Sequence, residues 1–303
     1  MYLVRRILWL GPLLLLVSAL AFGLIRLAPG GPFDRERQVP EAVEQHLRAA
    51  YHLDESWPRQ YGRYVVGLLH GDLGPSMRYR DRSVNELIAA GLPVSFTVGG
   101  LAFAFALGVG VPWGVYTALR RGRAFDHWGS LVAVTALCVP TFVAGPVLVM
   151  VFGVQLRWLP VALWGSPTHL VLPVVTLGIY FAGRVARLMR EGMLRILDAP
   201  FILTARAKGL SESAVFWRHG VRLGILPVVS YAGPMAADLL TGSFVVENLF
   251  QLPGIGVFMV NSSLNRDYPM VVGLVLLYAV LLLVFNLMVD GVHGWLDPRV
   301  RHG

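Results

Sequence analysis

Residues 204 to 227 bring together ionisable and aromatic side chains that could bind a partner. The stretch TARAKGLSESAVFWRHGVRLGILP lies between two long apolar segments and carries five basic side chains against a single acid, Glu212. Such a surface suits either the anionic headgroups of a membrane or a protein partner, for which arginine and aromatic side chains are favoured contacts. The chemistry predicted here is therefore binding. The basic residues are Arg206, Lys208, Arg218, His219 and Arg222.

Sequence motifs for several kinds of catalysis are missing. A phosphate-binding P-loop requires Gly-Lys-Ser or Gly-Lys-Thr, and the single lysine, Lys208, lies between Ala207 and Gly209. The sequence contains neither HExxH nor GxSxG, and no cysteine–histidine spacing typical of zinc sites. The only cysteine, Cys138, lies within an apolar run, where we predict a packing role. We therefore expect no catalytic residue and no metal or cofactor bound by this chain.

Asp238 is the carboxylate deepest within an apolar run, SYAGPMAADLLTGSF. A charge in hydrocarbon is costly and usually faces a cavity or a partner, so one hypothesis makes Asp238 part of a pathway through the membrane. The other is a hydrogen bond between helices beside Thr241 and Ser243. We predict that Glu247, towards the end of the same segment, is solvated or lines a gate. Asn286 is predicted to connect two helices.

The composition indicates an integral membrane protein. Of the 303 residues 55% are hydrophobic and only 15% are charged, and the mean hydropathy is +0.61. Soluble domains carry about 25% charged residues. The net charge is +8, but the arginines cluster in short segments between apolar runs. This distribution is typical of membrane topology and, without a nucleic-acid-binding motif, argues against nucleic acid as a partner.

Six apolar segments have about the 20 residues that a helix needs to cross a bilayer. The first resembles a signal peptide, but its apolar stretch is too long, so we predict a retained helix. Short loops on the side of the N-terminus hold most arginines, whereas the opposite short loops hold only Arg157 and Arg266. Both termini are therefore predicted to be cytoplasmic. The segments are residues 7–27, 93–119, 129–156, 169–190, 223–247 and 270–291.

One long segment outside the spans follows the first of them. It carries eight arginines and nine acidic residues and is predicted to lie on the outer face. We therefore divide the chain into an N-terminal transmembrane helix (1–28), an extracytoplasmic insertion (29–92) and a five-helix core (93–303). In the insertion, VPEAVEQHLRAAYHL predicts a helix and HGDLGPS predicts turns.

The basic stretch belongs to a predicted cytoplasmic loop, residues 191–222, that contains two short helices joined at a glycine. Pro200 interrupts the preceding helical pattern, and Gly209 suits the left-handed residue that follows a helix end. Ser211 can cap the next helix, and Glu212 lies at its positive N-terminus.

The segment TARAKGL, followed by RHGVRLGILPVVSYAGP, closely resembles the cytoplasmic "EAA" loop of peptide-importer permeases in the ABC superfamily. Other segments resemble the oligopeptide permease pattern in matching order, so the resemblance covers essentially the whole chain. The general loop begins Glu-Ala-Ala, where this chain has Leu203-Thr204-Ala205, and the peptide branch usually has arginine at the position of Leu203. Pro200-Phe201 also differs from the peptide branch, which usually has a polar residue followed by tyrosine or phenylalanine at these two positions. The other matching segments are RLAPGGPF, YHLDESWPRQY, HGDLGPS, LPGIG, NRDYP and DPRVR.

The resemblance implies an all-α integral membrane protein with six transmembrane helices and the type I ABC importer permease fold. Such a permease is a transport subunit, not an enzyme. It moves oligopeptides or dipeptides into the cytoplasm by alternating access and lies in the bacterial inner membrane. The implied partners are a second homologous permease, two ATP-binding subunits that hold ATP and Mg²⁺, an extracytoplasmic peptide-binding protein, the peptide and membrane lipid.

The resemblance also implies roles for individual residues. The outer insertion and the loop at 250–268 would meet the binding protein. Asp238, Thr241 and Glu247 become candidates for the translocation pathway, where Asp238 would attract a peptide amino terminus or pair with a cation of the second permease. The ATPase-coupling loop would include Thr204, Ala205, Arg206, Lys208, Gly209, Trp217, Arg218 and His219.

A self-sufficient secondary transporter is the alternative function. Such proteins often contain internal repeats and several intramembrane carboxylates that bind a coupling ion. In this sequence Asp238 is essentially the only deep carboxylate, and no repeat is evident.

Overall fold

The computed structural model describes residues 2–27, 45, 48–49 and 51–296. Apart from an isolated bridge between Pro75 and Ser83, the regular elements of these residues are helices. The helix predicted over residues 39–53 lies largely outside them. The helices are α1 (Tyr2–Leu27), α2 (Trp57–Leu69), α3 (Val84–Leu119), α4 (Ala124–Cys138), α5 (Thr141–Leu148, continuing as the π-helix Val149–Gln155), α6 (Val171–Leu197, preceded by the 3₁₀ turn Pro167–Leu170), α7 (Pro200–Ala207), α8 (Glu212–Gly224, with the π-helix Val215–Val221), α9 (Leu226–Leu240), α10 (Phe244–Leu249), α11 (Ile255–Leu264) and α12 (Tyr268–Leu296).

Four helices of the described residues are long and apolar enough to cross a membrane, and bent helix pairs bring the number to as many as six. The two predicted spans at 129–156 and 223–247 are not continuous helices. The first bends by 103° between α4 and α5, because Pro140 lacks an N–H and disfavours helical geometry at Val139. The second bends by 40° after Gly224. The four long helices are Trp9–Leu27, Val84–Leu119, Pro167–Leu197 and Tyr268–Leu296.

The chain divides into two compact units. The first unit comprises residues up to 94 together with 253–283. Its core contains Val84, Leu87 and Ile88 from the start of α3, with further apolar side chains from α11 and α12. Gly71 and Gly74 have φ values of +76° and +89°, which confirms the turns predicted in HGDLGPS.

A buried carboxylate organises the loops of the first unit. Asp267 is fully buried and accepts hydrogen bonds from the Ser76 hydroxyl and, at 3.0 Å, from the Met77 N–H. A weaker bond from the Met270 N–H, at 3.4 Å, places the same carboxylate at the first turn of α12. A single buried side chain thus connects the loop after α2 to the start of α12.

The second unit comprises residues 95–252 and 284–303, and α6 lies at its centre. Glycines allow the backbones of neighbouring helices to come close to α6. A Cβ at Gly183 of α6 would lie 2.7 Å from the Ala133 carbonyl oxygen of α4. A Cβ at Gly110 of α3 would lie 2.7 Å from the Ala182 carbonyl oxygen. Asn286 of α12 packs against Gly233 of α9, so it lies at a contact between two helices as predicted.

Candidate functional site

The basic arm, defined here as residues 198–224, begins where α6 ends. Asp198 follows the last residue of α6, and Ala199 has extended backbone angles, φ −76° and ψ 142°. Pro200 is then the first residue of α7, where its missing N–H costs nothing because first-turn N–H groups have no helical partner. The interruption predicted at Pro200 is therefore confirmed.

The end of α7 is a Schellman turn built on Gly209. The Leu210 N–H donates to the Ala205 carbonyl at 3.3 Å, and the Gly209 N–H donates to the Arg206 carbonyl at 2.9 Å. This pair of bonds requires a left-handed residue at the glycine, and Gly209 has φ of +80°. The left-handed geometry predicted at Gly209 is confirmed, and it turns the chain sharply between the two short helices.

The next helix, α8, starts with the predicted cap. The Ser211 hydroxyl accepts a hydrogen bond from the Ala214 N–H at 3.3 Å, and Glu212 lies in the first turn. The Glu212 carboxylate is bound by Arg206 through two bonds of 2.8 and 3.1 Å. Arg206 therefore bridges the turn from α7 to α8, an internal contact that sequence spacing did not reveal.

A small apolar cluster holds the two helices of the arm together. Ile202 and Ala205 of α7 pack with Val215 of α8, and each of the three is at least nine-tenths buried. Leu210 from the turn adds to the cluster. Ala205 thus supports the arm from inside, whereas the other predicted coupling residues leave at least part of their surface accessible.

The outer surface of the arm combines cations with large apolar groups. Leu203 is 66% exposed and Trp217 is 64% exposed. Lys208 and Arg218 are also exposed, as is Thr204. Indole and leucine side chains at this exposure, beside lysine and arginine, form a surface suited to a protein or headgroup partner. His219 is only half-exposed, and its ring lies 6.3 Å from that of Phe201.

Two ion pairs lie at the base of the arm, and sequence reasoning missed both. Arg190 of α6 binds Asp126 of α4 through two bonds of 2.7 and 2.9 Å, and the Asp126 side chain is 7% exposed. Asp126 also accepts a 3.0 Å bond from the Gly122 N–H. A second pair, Arg121 with Asp198 at 2.6 Å, is well exposed. The available signal was Asp126 itself, the only acid close to the basic residues that follow α3.

Asp238 lines a cavity of about 450 Å³ in the second unit. The cavity lies where two helices are interrupted, at Pro140 and at Gly242, and Tyr180 contributes a hydroxyl-bearing ring. Asp238 itself is exposed, whereas its neighbours Ala237 and Leu239 in α9 are buried. The Thr241 hydroxyl donates to the Ala237 carbonyl of its own helix at 2.9 Å, so α9 satisfies it internally.

Glu247 does not lie with Asp238 and is buried, so the prediction that it is solvated is wrong, whereas its role at a gate stays a prediction. The residue is 2% exposed, and its carboxylate accepts a 2.7 Å hydrogen bond from the Ser95 hydroxyl of α3. The reason is the break after α9: Gly242 has φ of +82°, and the chain restarts as α10 with Glu247 facing α3.

The packing role predicted for Cys138 is also not seen, since the thiol is exposed at the edge of the Asp238 cavity.

The chain matches a known family of membrane transport proteins over most of its length. The family described as binding-protein-dependent transport system inner membrane components has a model that matches residues 110–302. The chain belongs to this family. Its members are membrane transport components, so the permease is a transport subunit and not an enzyme. Membership implies ATPase and permease partner subunits and a binding protein, with nucleotide bound by the ATPases.

Relatives match the permease from end to end. It is 41% identical over 303 residues to the oligopeptide transport system permease protein OppB of Haemophilus influenzae, with 99% of both chains covered. OppB of Escherichia coli K12 has the same identity and coverage. The dipeptide transport system permease protein DppB of Bacillus subtilis is 38% identical, over 99% of this chain and 97% of its own.

Solved structures show the same fold. The inward-facing MetNI methionine ABC transporter matches with a TM-score of 0.56 at 16% identity, covering 70% of this chain and 96% of that chain. An amino acid ABC transporter crystallised with histidines matches with a TM-score of 0.50 at 18% identity, covering 68% and 92%. Together with the family match, they confirm the expected type I ABC importer permease fold. They give no support to a self-sufficient secondary transporter.

Proposed function

We propose that the permease moves oligopeptides or dipeptides into the cytoplasm by alternating access, driven by ATP hydrolysis in two partner subunits. The observation that carries this proposal is the end-to-end similarity to OppB of H. influenzae and DppB of B. subtilis, at 41% and 38% identity. Such similarity includes the insertion and loops as well as the membrane helices. In this proposal an extracytoplasmic binding protein delivers the peptide to the insertion at 29–92 and to the loop at 250–268.

The basic arm is proposed to be the surface that receives the movement of the ATPase. Its exposed indole, leucine and cations are suited to a protein groove, and the apolar cluster together with the Schellman turn makes the two helices move as one body. Lys208, Trp217 and Arg218 would contact the ATPase directly. Gly209 and Ala205 would act through the shape of the arm, and the Arg206–Glu212 pair would fix its bend.

Asp238 is proposed to lie on the translocation pathway. Its exposure on a cavity at two helix interruptions supports this role. A hydrogen bond between helices beside Thr241 and Ser243 stays the alternative. A carboxylate in a low-dielectric pathway favours a cationic group, such as the amino terminus of a peptide or a cation of the second permease.

The test of this function is co-purification followed by transport. The permease would be extracted from its native membrane in mild detergent, its subunits identified by mass, and the complex placed in liposomes with the binding protein and a labelled oligopeptide. We expect a second permease and two ATPases in the complex, and uptake that requires ATP. Uptake without ATPase subunits would overturn the proposal in favour of a secondary transporter.

The arm and the pathway can be tested in the same complex. Because Cys138 is the only cysteine, Cys138→Ala provides a background for Lys208→Cys, which should cross-link to the ATPase, and for Arg59→Cys of α2, which should not.

Asp238→Asn should lower peptide uptake while the complex still assembles. Undiminished uptake in an assembled Asp238→Asn complex would rule out a role for the charge.

A further inference from the structure

A second cavity, of about 390 Å³, lies within the first unit and has no part in the proposed transport mechanism. It is bordered by the C-terminal end of α1, by residues 51–52, by α2 with the loop that follows it, and by the start of α12. Its size falls in the range of small-molecule sites, which is about 300–1,000 Å³. The walls are mainly apolar and include Phe22, Val66, Leu73, Met77, Tyr268 and Val272.

Two polar groups at this cavity are buried without a partner among the described residues. They are the Nε atom of Arg26 and the hydroxyl of Tyr64. Buried donors are almost always satisfied, by protein, water or ligand. The Arg26 guanidinium lies 4.6 Å from the Phe22 ring centroid and 5.5 Å from that of Tyr268. Those aromatic contacts hold the cation in place, and its Nε–H has no acceptor among the described residues.

The other ionisable groups that line the cavity contact protein partners: the Tyr51 hydroxyl donates to the Ser76 carbonyl at 3.1 Å, and the Tyr268 ring faces Arg26. Arg63 donates to the Glu55 carboxylate at 2.7 Å, and His52 lies 3.5 Å from the same carboxylate. The Asp72 carboxylate accepts a 2.9 Å bond from the Gly74 N–H. Burial raises the pKa of the Tyr64 hydroxyl, which therefore remains a protonated donor. The unmatched groups are thus a cation and a neutral donor, a combination that suits an anionic oxygen.

The surroundings of the cavity indicate contact with lipid. Arg26 lies in the last turn of the span Trp9–Leu27, and α2 packs along α1, with the Tyr61 hydroxyl 2.9 Å from the Ser18 hydroxyl. The surface of α2 exposes large apolar side chains, including Val66 at 57% and Leu69 at 79%. An amphipathic helix beside the end of a span is typical of the membrane interface.

We propose that this cavity binds an anionic phospholipid, with an acyl chain between the apolar walls and the phosphate accepting hydrogen bonds from Arg26 Nε and the Tyr64 hydroxyl. The positive charge of Arg26 favours an anionic headgroup. The apolar walls favour a lipid over free phosphate, because phosphate alone would make no contact with them. The proposal is independent of what the permease transports.

The experiment measures lipid retained by the full-length permease in its complex. The complex would be exchanged into detergent micelles containing palmitoyl-oleoyl phosphatidylglycerol, or phosphatidylcholine with the same chains, and washed by gel filtration before lipid is quantified by mass spectrometry. A third sample receives inorganic phosphate alone, and its thermal unfolding is compared with that of the lipid samples. The variants are Arg26→Gln, Tyr64→Phe and, as a matched control, Arg59→Gln, an exposed arginine of α2 that does not line the cavity.

We expect phosphatidylglycerol to be retained in preference to phosphatidylcholine, and Arg26→Gln to weaken retention about tenfold, as loss of a charge-assisted hydrogen bond would. Tyr64→Phe keeps the ring and should weaken retention by a smaller factor, which provides a test should Arg26→Gln fold poorly. Arg59→Gln should retain lipid like the unaltered chain. Equal retention in all variants, equal retention of phosphatidylcholine, or equal stabilisation by phosphate alone would each overturn the proposal.

Discussion

At the scale of single residues, two ion pairs at the base of the basic arm differ in burial. The Asp126 side chain is 7% exposed and makes two bonds to Arg190, whereas Asp198 is 61% exposed and makes one bond to Arg121. Removing one partner of a buried ion pair leaves the other charge buried without a counter-charge, which destabilises the fold. Removing one partner of an exposed pair has little effect, because water screens the remaining charge. The two aspartates therefore offer a matched comparison within one region of the fold.

We predict that Asp126→Asn lowers the free energy of unfolding by roughly 3 kcal/mol, because Arg190 would lose the carboxylate that balances its charge. The control, Asp198→Asn, should change it by about 0–1 kcal/mol. Thermal unfolding of the purified permease, followed by tryptophan fluorescence, measures both. Equal losses from the two substitutions would mean that the Asp126 pair is as screened as the exposed one.

A second prediction at this scale concerns Glu247, which is buried against Ser95. Glu247→Ala should destabilise the permease by about 2 kcal/mol, because the Ser95 hydroxyl loses an acceptor and the side chain leaves a cavity. Glu247→Gln keeps the volume and one carbonyl oxygen, so its cost should be smaller. If Glu247→Ala melts like the unaltered chain but transports less, the gate role expected from the sequence would be supported.

At the scale of elements, the basic arm follows from local sequence rules. Pro200 starts α7, Gly209 ends it and Ser211 caps α8, and each of these residues acts through its own backbone geometry or a bond to a near neighbour. Such features are readable from one sequence because the interactions span only a few residues. The Arg190–Asp126 contact was not readable in this way, since 64 residues separate its partners.

We predict that Gly209→Ala lowers ATP-driven uptake and the cross-linking yield of Lys208→Cys. A side chain at a φ of +80° costs about 1–2 kcal/mol, and the arm can relieve that strain only by changing its bend. Nothing lies within 4 Å of the added methyl group, so the effect would come from the backbone and not from a clash.

The control for Gly209 is Gly122, which has a φ of +75° and equally open surroundings but lies outside the arm. Gly122→Ala carries the same backbone strain and should leave uptake close to that of the unaltered permease. Equal uptake by the two variants would show that the bend at Gly209 has no part in coupling.

At the scale of the whole molecule, the distribution of arginine predicts which side of the membrane each loop occupies. In the Cys138→Ala background, a membrane-impermeant maleimide should label Lys208→Cys only from the cytoplasmic side and Arg59→Cys only from the outside. Labelling of right-side-out and inverted vesicles measures this. The opposite pattern would place the basic arm outside and would remove the proposed contact with the ATPase.

The sequence by itself determined the membrane class, the approximate positions of the apolar segments and the local design of the arm. The mean hydropathy of a segment predicts whether the segment lies in lipid or in water. Prolines, glycines and capping residues predict the backbone geometry of the few residues around them. It also carried the family resemblance, because ordered motifs occur along the entire chain.

Only the tertiary structure decided which polar groups within the apolar segments are buried, paired or exposed. Asp238 and Glu247 are nine positions apart in the same apolar region, yet one faces a cavity and the other is buried against Ser95 of α3. Their different surroundings follow from the break at Gly242 and from the packing of helices distant in sequence. Periodicity within one segment cannot specify such contacts, because the partner side chains come from elsewhere in the chain.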